Sequence, residues 1–592
     1  MVDGDMSLTA QQKAAVAHDG NLLLQACPGS GKTRTIVQRL IKDIEGIRET
    51  PFAVACITYT NAAVQELEHR ISSDLQPGDE RHYVISTIHA FCLNEILRPF
   101  AFRIPGFNGS MKVLTRDRAE FQEIAEYAAD AVGWHNLNYW DFEGFAGLNL
   151  GVNGELIGTA LNNEPLKAAA PIFWSRASDL GFIDFANIIY KTYCLLRDQP
   201  EVVRTVATRF RAFLLDEFQD TTELQIEILK LIYLEHRSRF FIVGDPAQSI
   251  FGFTGARPEL IDPFAAFIKA RTDIVLSSNF RSNPQIVADA NRLFKRIPAM
   301  TSEGKTRLCT QQTVYHRVNG TFPAITDNFL PLLTDLGIPY GKTAILARNW
   351  TPLFPLSRKL REFGVPVVGP GARPYRRSRL FATLAEQLCG AIIDRASFNI
   401  RQLERAIFFA VQDITAKPRA EIFSYEGRVV VVQLIRKASA LAEQLGAIDW
   451  LEQMSEVTGK ILAGVGWIDQ GQIMSFRYSV EEMKQDMIQS NIDLPNLGIE
   501  DLGLFASPSK AMRLMTVHNS KGLEFDAVAF INLRERTLPD YRAVGPAEIA
   551  DEKRLFYVGV TRAKRLLMYI SEIDNWNNAP TRFLNANGVG KI

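Results

Sequence analysis

At 592 residues the chain exceeds the size of one hydrophobic core, which stops growing near about 250–300 residues, so several domains are expected. Its 47% hydrophobic and 22% charged residues exclude a disordered or fibrous protein, and its 66 Lys and Arg balance 66 Asp and Glu, which leaves any nucleic-acid surface to a local groove. No apolar run reaches the roughly 18–20 residues needed to span a bilayer, and the start MVDGDMSLTA lacks an export pattern, so a cytoplasmic protein without a membrane partner is expected.

Residues 21–25 read as a short apolar strand that turns through CPGSG into an amphipathic helix over 32–44. The same alternation recurs at 53–60, 83–91, 210–220, 239–248 and 273–280, where apolar or β-branched runs end in polar residues. Such runs suit parallel strands buried on both faces, with ligands at their carboxyl ends. A second set at 343–349, 512–518, 526–533 and 565–571 predicts another α/β domain. The helix-rich stretches between them read as insertions. The expected organisation is a first α/β domain at 1–92 and 177–262, an insert at 93–176, a second α/β domain at 263–380 and 508–592, and an insert at 381–507. The six cysteines, Cys27, Cys56, Cys92, Cys194, Cys309 and Cys389, form no CxxC or Cys/His ligand pattern and read as buried thiols, with a metal or iron–sulfur site from distant positions as the alternative.

Ala26-Cys27-Pro28-Gly29-Ser30-Gly31-Lys32-Thr33 is a phosphate-binding loop with Ala26 at the usual first glycine. Gly29 and Gly31 permit the tight path that turns N–H groups toward a phosphate, and the helix beginning at Lys32 adds its positive dipole end. Lys32 is expected on the β- and γ-phosphates of ATP and Thr33 on Mg²⁺, with Arg34 flanking the nucleotide. The run Phe213-Leu214-Leu215 delivers Asp216 and Glu217 to a strand end. Asp216 would complete the Mg²⁺ shell, and Glu217 would polarise the attacking water as a general base.

The full run Leu215-Asp216-Glu217-Phe218-Gln219-Asp220-Thr221, with its companions in order, resembles the UvrD/Rep/PcrA family of superfamily 1 DNA helicases. Residues 8–16 resemble the family's Q motif, with Gln12 on the adenine edge. Residues 58–63 and 86–91 resemble its DNA-contacting motifs, and Ile183-Asp184-Phe185 a further segment before the acidic motif. The resemblance implies Gln248 as the γ-phosphate sensor, Arg281 on the γ-phosphate, Phe280 against adenine, Glu524 on the sugar and Arg562 as arginine finger. It implies DNA contacts at Tyr59, Thr60, Asn61, His89, Phe253 and His518, and a fold of two RecA-like parallel-sheet motor domains with two mainly helical inserts. The activity it implies is ATP-dependent, 3′-to-5′ movement on single-stranded DNA. Departures from the family pattern are Ala62 for a lysine, Pro246-Ala247 for an acidic pair, Phe253 for a tryptophan and Thr254 for an arginine. The second insert looks short, and the chain ends soon after Arg565.

Trp134, Trp140 and Trp174 read as core anchors, with a base-stacking platform as the alternative. The run Arg373 to Arg379 is either a phosphate contact or a solvated loop. A different functional class stays open: a DNA- or nucleotide-sensing ATPase that regulates a partner nuclease, since the helicase-like subunit of Gabija-type antiviral systems looks similar in its trimmed architecture. RNA as the track is a third reading, because these motifs grip mainly the phosphate backbone.

Overall fold

The structure, a computed structural model, describes residues 8–72, 74–104, 110–311, 313–415, 419–573 and 579–585. It contains two compact units, Met1–Thr310 with Gly545–Thr561, and Gln311–Val544 with Arg562–Ile592.

The first unit is built on a six-stranded sheet from β1 (Leu22–Ala26), β2 (Ala53–Thr58), β3 (Tyr83–Thr87), β4 (Phe210–Leu215), β5 (Arg239–Gly244) and β6 (Val275–Leu276). The spatial order is β6-β1-β5-β4-β2-β3, and every pairing is parallel. The central runs are mainly apolar because both faces are covered, with polar residues such as Gln25, Arg211 and Arg239 only half-buried at strand ends and edges. Leu22, Leu24 and Ala26 enter one core with Val54, Cys56, Leu214 and Val243, whereas Leu23 faces the other with Ala55, Ile57, Phe213 and Ile242. Each buried leucine contributes about 1.5–3 kcal/mol relative to exposure.

Helices α1 (Ala10–Ala17), α2 (Lys32–Glu45) and α3 (Asn61–Ile71) accompany this sheet, α2 following the carboxyl end of β1 and α3 that of β2. Helix α2 buries Ile36, Val37, Leu40 and Ile44, one helical stripe, in the core shared with β1. Helix α1 starts on a capping box in which Thr9 and Gln12 satisfy each other's backbone N–H. The first insert has its own core, where Phe121, Phe145 and Phe173 meet between helices Ala119–Asp130, Tyr139–Ala146 and Glu164–Asp179. A further helix, α4 (Pro546–Val560), belongs to this unit, as do residues 263–310, which the sequence reading assigned to the second motor domain. Strand pairing explains this: β6 completes the first sheet beside β1.

The second unit carries β7 (Val314–Val318), β8 (Thr343–Ala347), β9 (Val367–Val368), β10 (Met512–Thr516), β11 (Phe525–Phe530) and β12 (Ala563–Glu572). They form another parallel sheet in the order β7-β12-β11-β8-β10-β9. Both sheets are RecA-like. Strands β7 and β9 lie outside the expected set because β7 is only partly apolar and β9 is two residues long. The second insert is helical, from Ala382–Ile393 through Ile473–Gln489, and centres on wholly buried Trp450, whose indole N–H donates to the Ala438 carbonyl at 2.9 Å. Cys27, Cys56, Cys92 and Cys389 are buried thiols. Among the described residues no helix is long and apolar enough to cross a membrane.

Candidate active site

The phosphate loop joins β1 to α2. Gly29 and Gly31 both lie in the left-handed region, at φ +68° and +79°. A Cβ at Gly29 would stand 2.5 Å from the Arg281 Cβ, and one at Gly31 would stand 2.6 Å from the Gln12 amide nitrogen. Both positions therefore need glycine for backbone and for space. Gln12 donates from Nε2 to the Ser30 carbonyl at 2.9 Å and accepts from the Thr9 N–H at 2.9 Å, so it ties α1 to the loop. Each group on this amide can make one more bond, which is what an adenine edge would use. The Phe280 N–H donates to the Gly29 carbonyl at 2.8 Å, and Asn279 accepts from the N–H groups of Arg281 and Ser282. These contacts hold Phe280 and Arg281 against the loop, while Cys27 and Ser30 are buried and Thr33 and Arg34 half-buried.

Opposite the loop, β4 ends at Leu215 and presents Asp216 and Glu217. The Lys32 ammonium lies 3.3 Å from the Glu217 carboxylate. Burial opposes the Lys32 charge, but Glu217, Asp245 and Asp216 outweigh it and hold the ammonium above its ordinary range. Burial and adjacent Glu217 push the Asp216 carboxyl well above the usual carboxylate range. Glu217 sits at φ +51°, a backbone position that costs energy for a non-glycine residue and fixes its side chain toward the loop. Thr33 and Asp216 offer hard oxygen donors of the kind Mg²⁺ takes, and a desolvated carboxylate pair is relieved by a divalent cation, so these residues fit the metal.

Gln219, to which the motif reading gave no role, bridges this acidic pair to the next strand. Its amide donates to Glu217, its carbonyl oxygen accepts the Asp245 N–H at 2.9 Å, and its backbone carbonyl accepts the Ser249 hydroxyl at 3.0 Å. Gln248 in turn donates to the buried Asp245 carboxylate at 2.7 Å.

The strand ends also gather aromatic rings. Tyr59 stacks on Phe251 at 5.0 Å between centroids and 18° between planes, and Phe251 meets Phe253 edge-on at 6.0 Å. Phe253 is 57% exposed. Phe251 escaped the sequence reading, although its place two residues before Phe253 was a signal. Thr60 caps α3 through the Ala63 N–H at 3.2 Å, and both it and Asn61 are exposed beside Tyr59. His89 packs edge-on against Phe185 at 5.1 Å, and burial pushes its imidazole down to about 4, so the ring is neutral near neutral pH.

In the second unit, buried Arg562 donates to the Leu523 carbonyl at 3.2 Å, and the Phe525 N–H donates to the Arg562 carbonyl at 2.9 Å. Glu524, expected on the nucleotide sugar, pairs with Lys564 at 2.5 Å. His518 is half-buried just after β10.

A family model described as the UvrD/REP helicase N-terminal domain matches residues 8–269, and one described as the UvrD-like helicase C-terminal domain matches 471–574. The chain belongs to the UvrD/Rep helicase family. It is 25% identical over 641 residues to the ATP-dependent DNA helicase PcrA of Staphylococcus aureus (strain MRSA252), covering 97% of this chain and 85% of that one. PcrA of S. aureus (strain Mu50) gives the same identity and shares of each chain. PcrA of S. epidermidis (strain RP62A) is 25% identical over 639 residues, again 97% of this chain and 85% of the other. As a UvrD/Rep helicase the protein hydrolyses ATP.

Two side features of this UvrD/Rep helicase take an internal role. In the basic run, Arg373 pairs with Glu386 at 2.8 Å, and Arg379 chelates Asp486 with two bonds of 2.9 Å. The two ends of the run are held by carboxylates of the second insert, while Arg376, Arg377 and Ser378 between them are exposed. Trp134 stacks on Phe145 and Trp174 donates to Asp184 at 2.7 Å, whereas Trp140 is 76% exposed, so two of the three tryptophans are anchors.

Proposed function

We propose that this ATP-dependent DNA helicase is a 3′-to-5′ single-stranded DNA translocase that couples each hydrolysis event to a change of grip on the strand. The observation that carries the coupling is the segment 245–253; the direction follows from the family resemblance. Its first residues, Asp245 and Gln248, are bonded into the network of Glu217 and Gln219, and its last, Phe251 and Phe253, form the aromatic ladder with Tyr59. A shift of Gln248 on γ-phosphate loss is therefore carried along a few residues of backbone to rings on which bases stack at about 1–3 kcal/mol each.

In the chemical step, Lys32 leaves Glu217 for the phosphates, which frees the carboxylate to accept a proton from the attacking water. Thr33 and Asp216 would hold Mg²⁺, which when bound supplies charge neutralisation at the β- and γ-phosphates. Arg281 and Arg562 are assigned to the charge that builds on the transferred phosphoryl group. Tyr59, Phe253, His89, Thr60, Asn61 and His518 are assigned to the DNA strand. The nuclease-regulating alternative draws no support from the relatives, each of which is named a DNA helicase.

Displacement of streptavidin from end-biotinylated oligonucleotides tests the direction. ATP-dependent release from the 5′ end is expected. Release from the 3′ end alone would reverse the polarity, and release from RNA at the same rate would remove DNA as the specific track.

A further inference from the structure

Three donors converge on the wholly buried carboxylate of Asp245: the Ala247 N–H at 3.1 Å, the Gln248 amide at 2.7 Å and the Arg296 guanidinium at 2.5 Å. The same Nη2 of Arg296 also donates to the Tyr557 hydroxyl at 2.9 Å. Tyr557 belongs to α4, and its ring packs edge-on against Phe294 at 5.2 Å, while Lys553 of the same helix lies over Phe294 at 5.2 Å. At the end of this helix the Thr561 carbonyl accepts a bond from Arg281 at 3.1 Å. Helix α4 is thus latched at two points by arginines of the segment that follows β6, and both arginines also touch the nucleotide machinery: Arg281 through the phosphate loop, Arg296 through Asp245.

We propose that Arg296 is a positioning residue for ATP hydrolysis, carrying the state of Gln248 through Asp245 to α4, from whose end the chain runs directly into Arg562. The inference rests on the roles assigned above to Gln248 and Arg562. Its physical basis is that one rigid guanidinium nitrogen, with an N–H for each, holds Asp245 and Tyr557 at once, so a movement of Arg296 toward one lengthens its bond to the other. When Gln248 turns toward a γ-phosphate, Asp245 loses a donor in a site where an uncompensated carboxylate is costly. Arg296 is then drawn further onto Asp245 at the expense of Tyr557, and the latch on α4 changes. The Nε of Arg296 is buried with no acceptor among the described residues, so the side chain is not locked by full satisfaction of its donors. A cavity of about 330 Å³ bounded by Cys27, Phe294, Arg296 and Arg554 gives it room to move. Thr254, whose hydroxyl is spent on the Phe251 carbonyl at 2.8 Å, brings no cation to this segment. Arg296 does.

The test compares Tyr557→Phe, Arg296→Met and the double variant in steady-state ATPase assays at saturating single-stranded DNA, with nucleotide affinity measured separately by fluorescent-analogue titration. Tyr557→Phe deletes one hydroxyl and keeps the ring packing. It should lower kcat by about tenfold while the ATP KM and nucleotide Kd stay within about threefold. Arg296→Met should act in the same direction, and the double variant should be no worse than Arg296→Met alone, because the two residues act in series. A wild-type kcat for Tyr557→Phe, a loss confined to KM and Kd, or a double variant whose loss is the product of the single losses would overturn the proposal. If Arg296→Met does not fold, Tyr557→Phe at an unchanged melting temperature decides it. Arg562→Ala is run in parallel. If wild type lacks DNA-stimulated hydrolysis, or Arg562→Ala retains full kcat, the underlying reading fails and the latch with it. If both controls behave and Tyr557→Phe is normal, only the latch fails.

Discussion

Replacing Lys32 and Glu217 one at a time separates binding from chemistry, because the two side chains neutralise each other in the structure. At 3.3 Å their attraction is about 5 kcal/mol at an effective dielectric of about 20, before the cost of desolvating either group. For a pair whose side chains are 11% and 27% exposed, the desolvation of both charges takes back most of that attraction, so little survives as net stability. Glu217→Gln therefore leaves the phosphate loop intact and frees Lys32 from a competing carboxylate, so ATP should bind as tightly as to wild type or up to about fivefold tighter. Turnover should fall by about 10²–10⁴, the usual contribution of a general base. Lys32→Ala removes a charge-assisted bond to phosphate worth about 1.5–3 kcal/mol, so nucleotide affinity should drop about 10- to 150-fold. It also leaves Asp216 and Glu217 without the nearest cation. Titration with a fluorescent ATP analogue, paired with phosphate-release kinetics on single-stranded DNA, reads both quantities. Equal loss of nucleotide binding in the two variants would refute the assigned roles.

Arg562→Ala should keep ATP affinity within several-fold while hydrolysis falls by about 10³ or more, since a finger acts on transition-state charge; near wild-type phosphate release would take Arg562 out of the site. Tyr59→Ala and Phe253→Ala should each weaken single-stranded DNA binding by about 1–3 kcal/mol in anisotropy titrations without changing the salt slope, because stacking releases no counterions. A reduced slope at unchanged affinity would contradict the stacking assignment. His89, pushed down to about 4 by burial, is neutral throughout the physiological range, so it gains charge only on acidification below that value. Wild type and His89→Ala should therefore show parallel DNA affinities between about pH 6 and 8. Divergence across that window, with wild type binding more tightly at the acid end, would mean that His89 titrates there.

The parts of the site written in adjacent residues were legible in the sequence. Gly29, Gly31, Lys32 and Thr33 lie within one loop, and Asp216 and Glu217 close one apolar strand, so local spacing carries their chemistry. The strand runs of the first sheet could be read because each has an apolar or β-branched stretch that ends in polar residues. What could not be read depends on partners distant in the chain. Arg296 meets Asp245 and Tyr557 only through the fold, and Gln219 bridges two strands whose adjacency is a matter of sheet order. The basic run at 373–379 shows the same limit, since the carboxylates that hold it, Glu386 and Asp486, come from separate helices of the second insert. The placement of residues 263–310 in the first unit likewise follows from β6 pairing with β1, which motif order does not reveal.

If ATP turnover is tied to travel along a single strand, the steady-state ATPase rate at saturating DNA ends must depend on oligonucleotide length. A motor that tracks a strand spends longer hydrolysing before it reaches an end, so kcat should rise with length and then level off. Wild-type protein should show that rise on single-stranded DNA, whereas a rate indifferent to strand length, or to the presence of DNA at all, would contradict it.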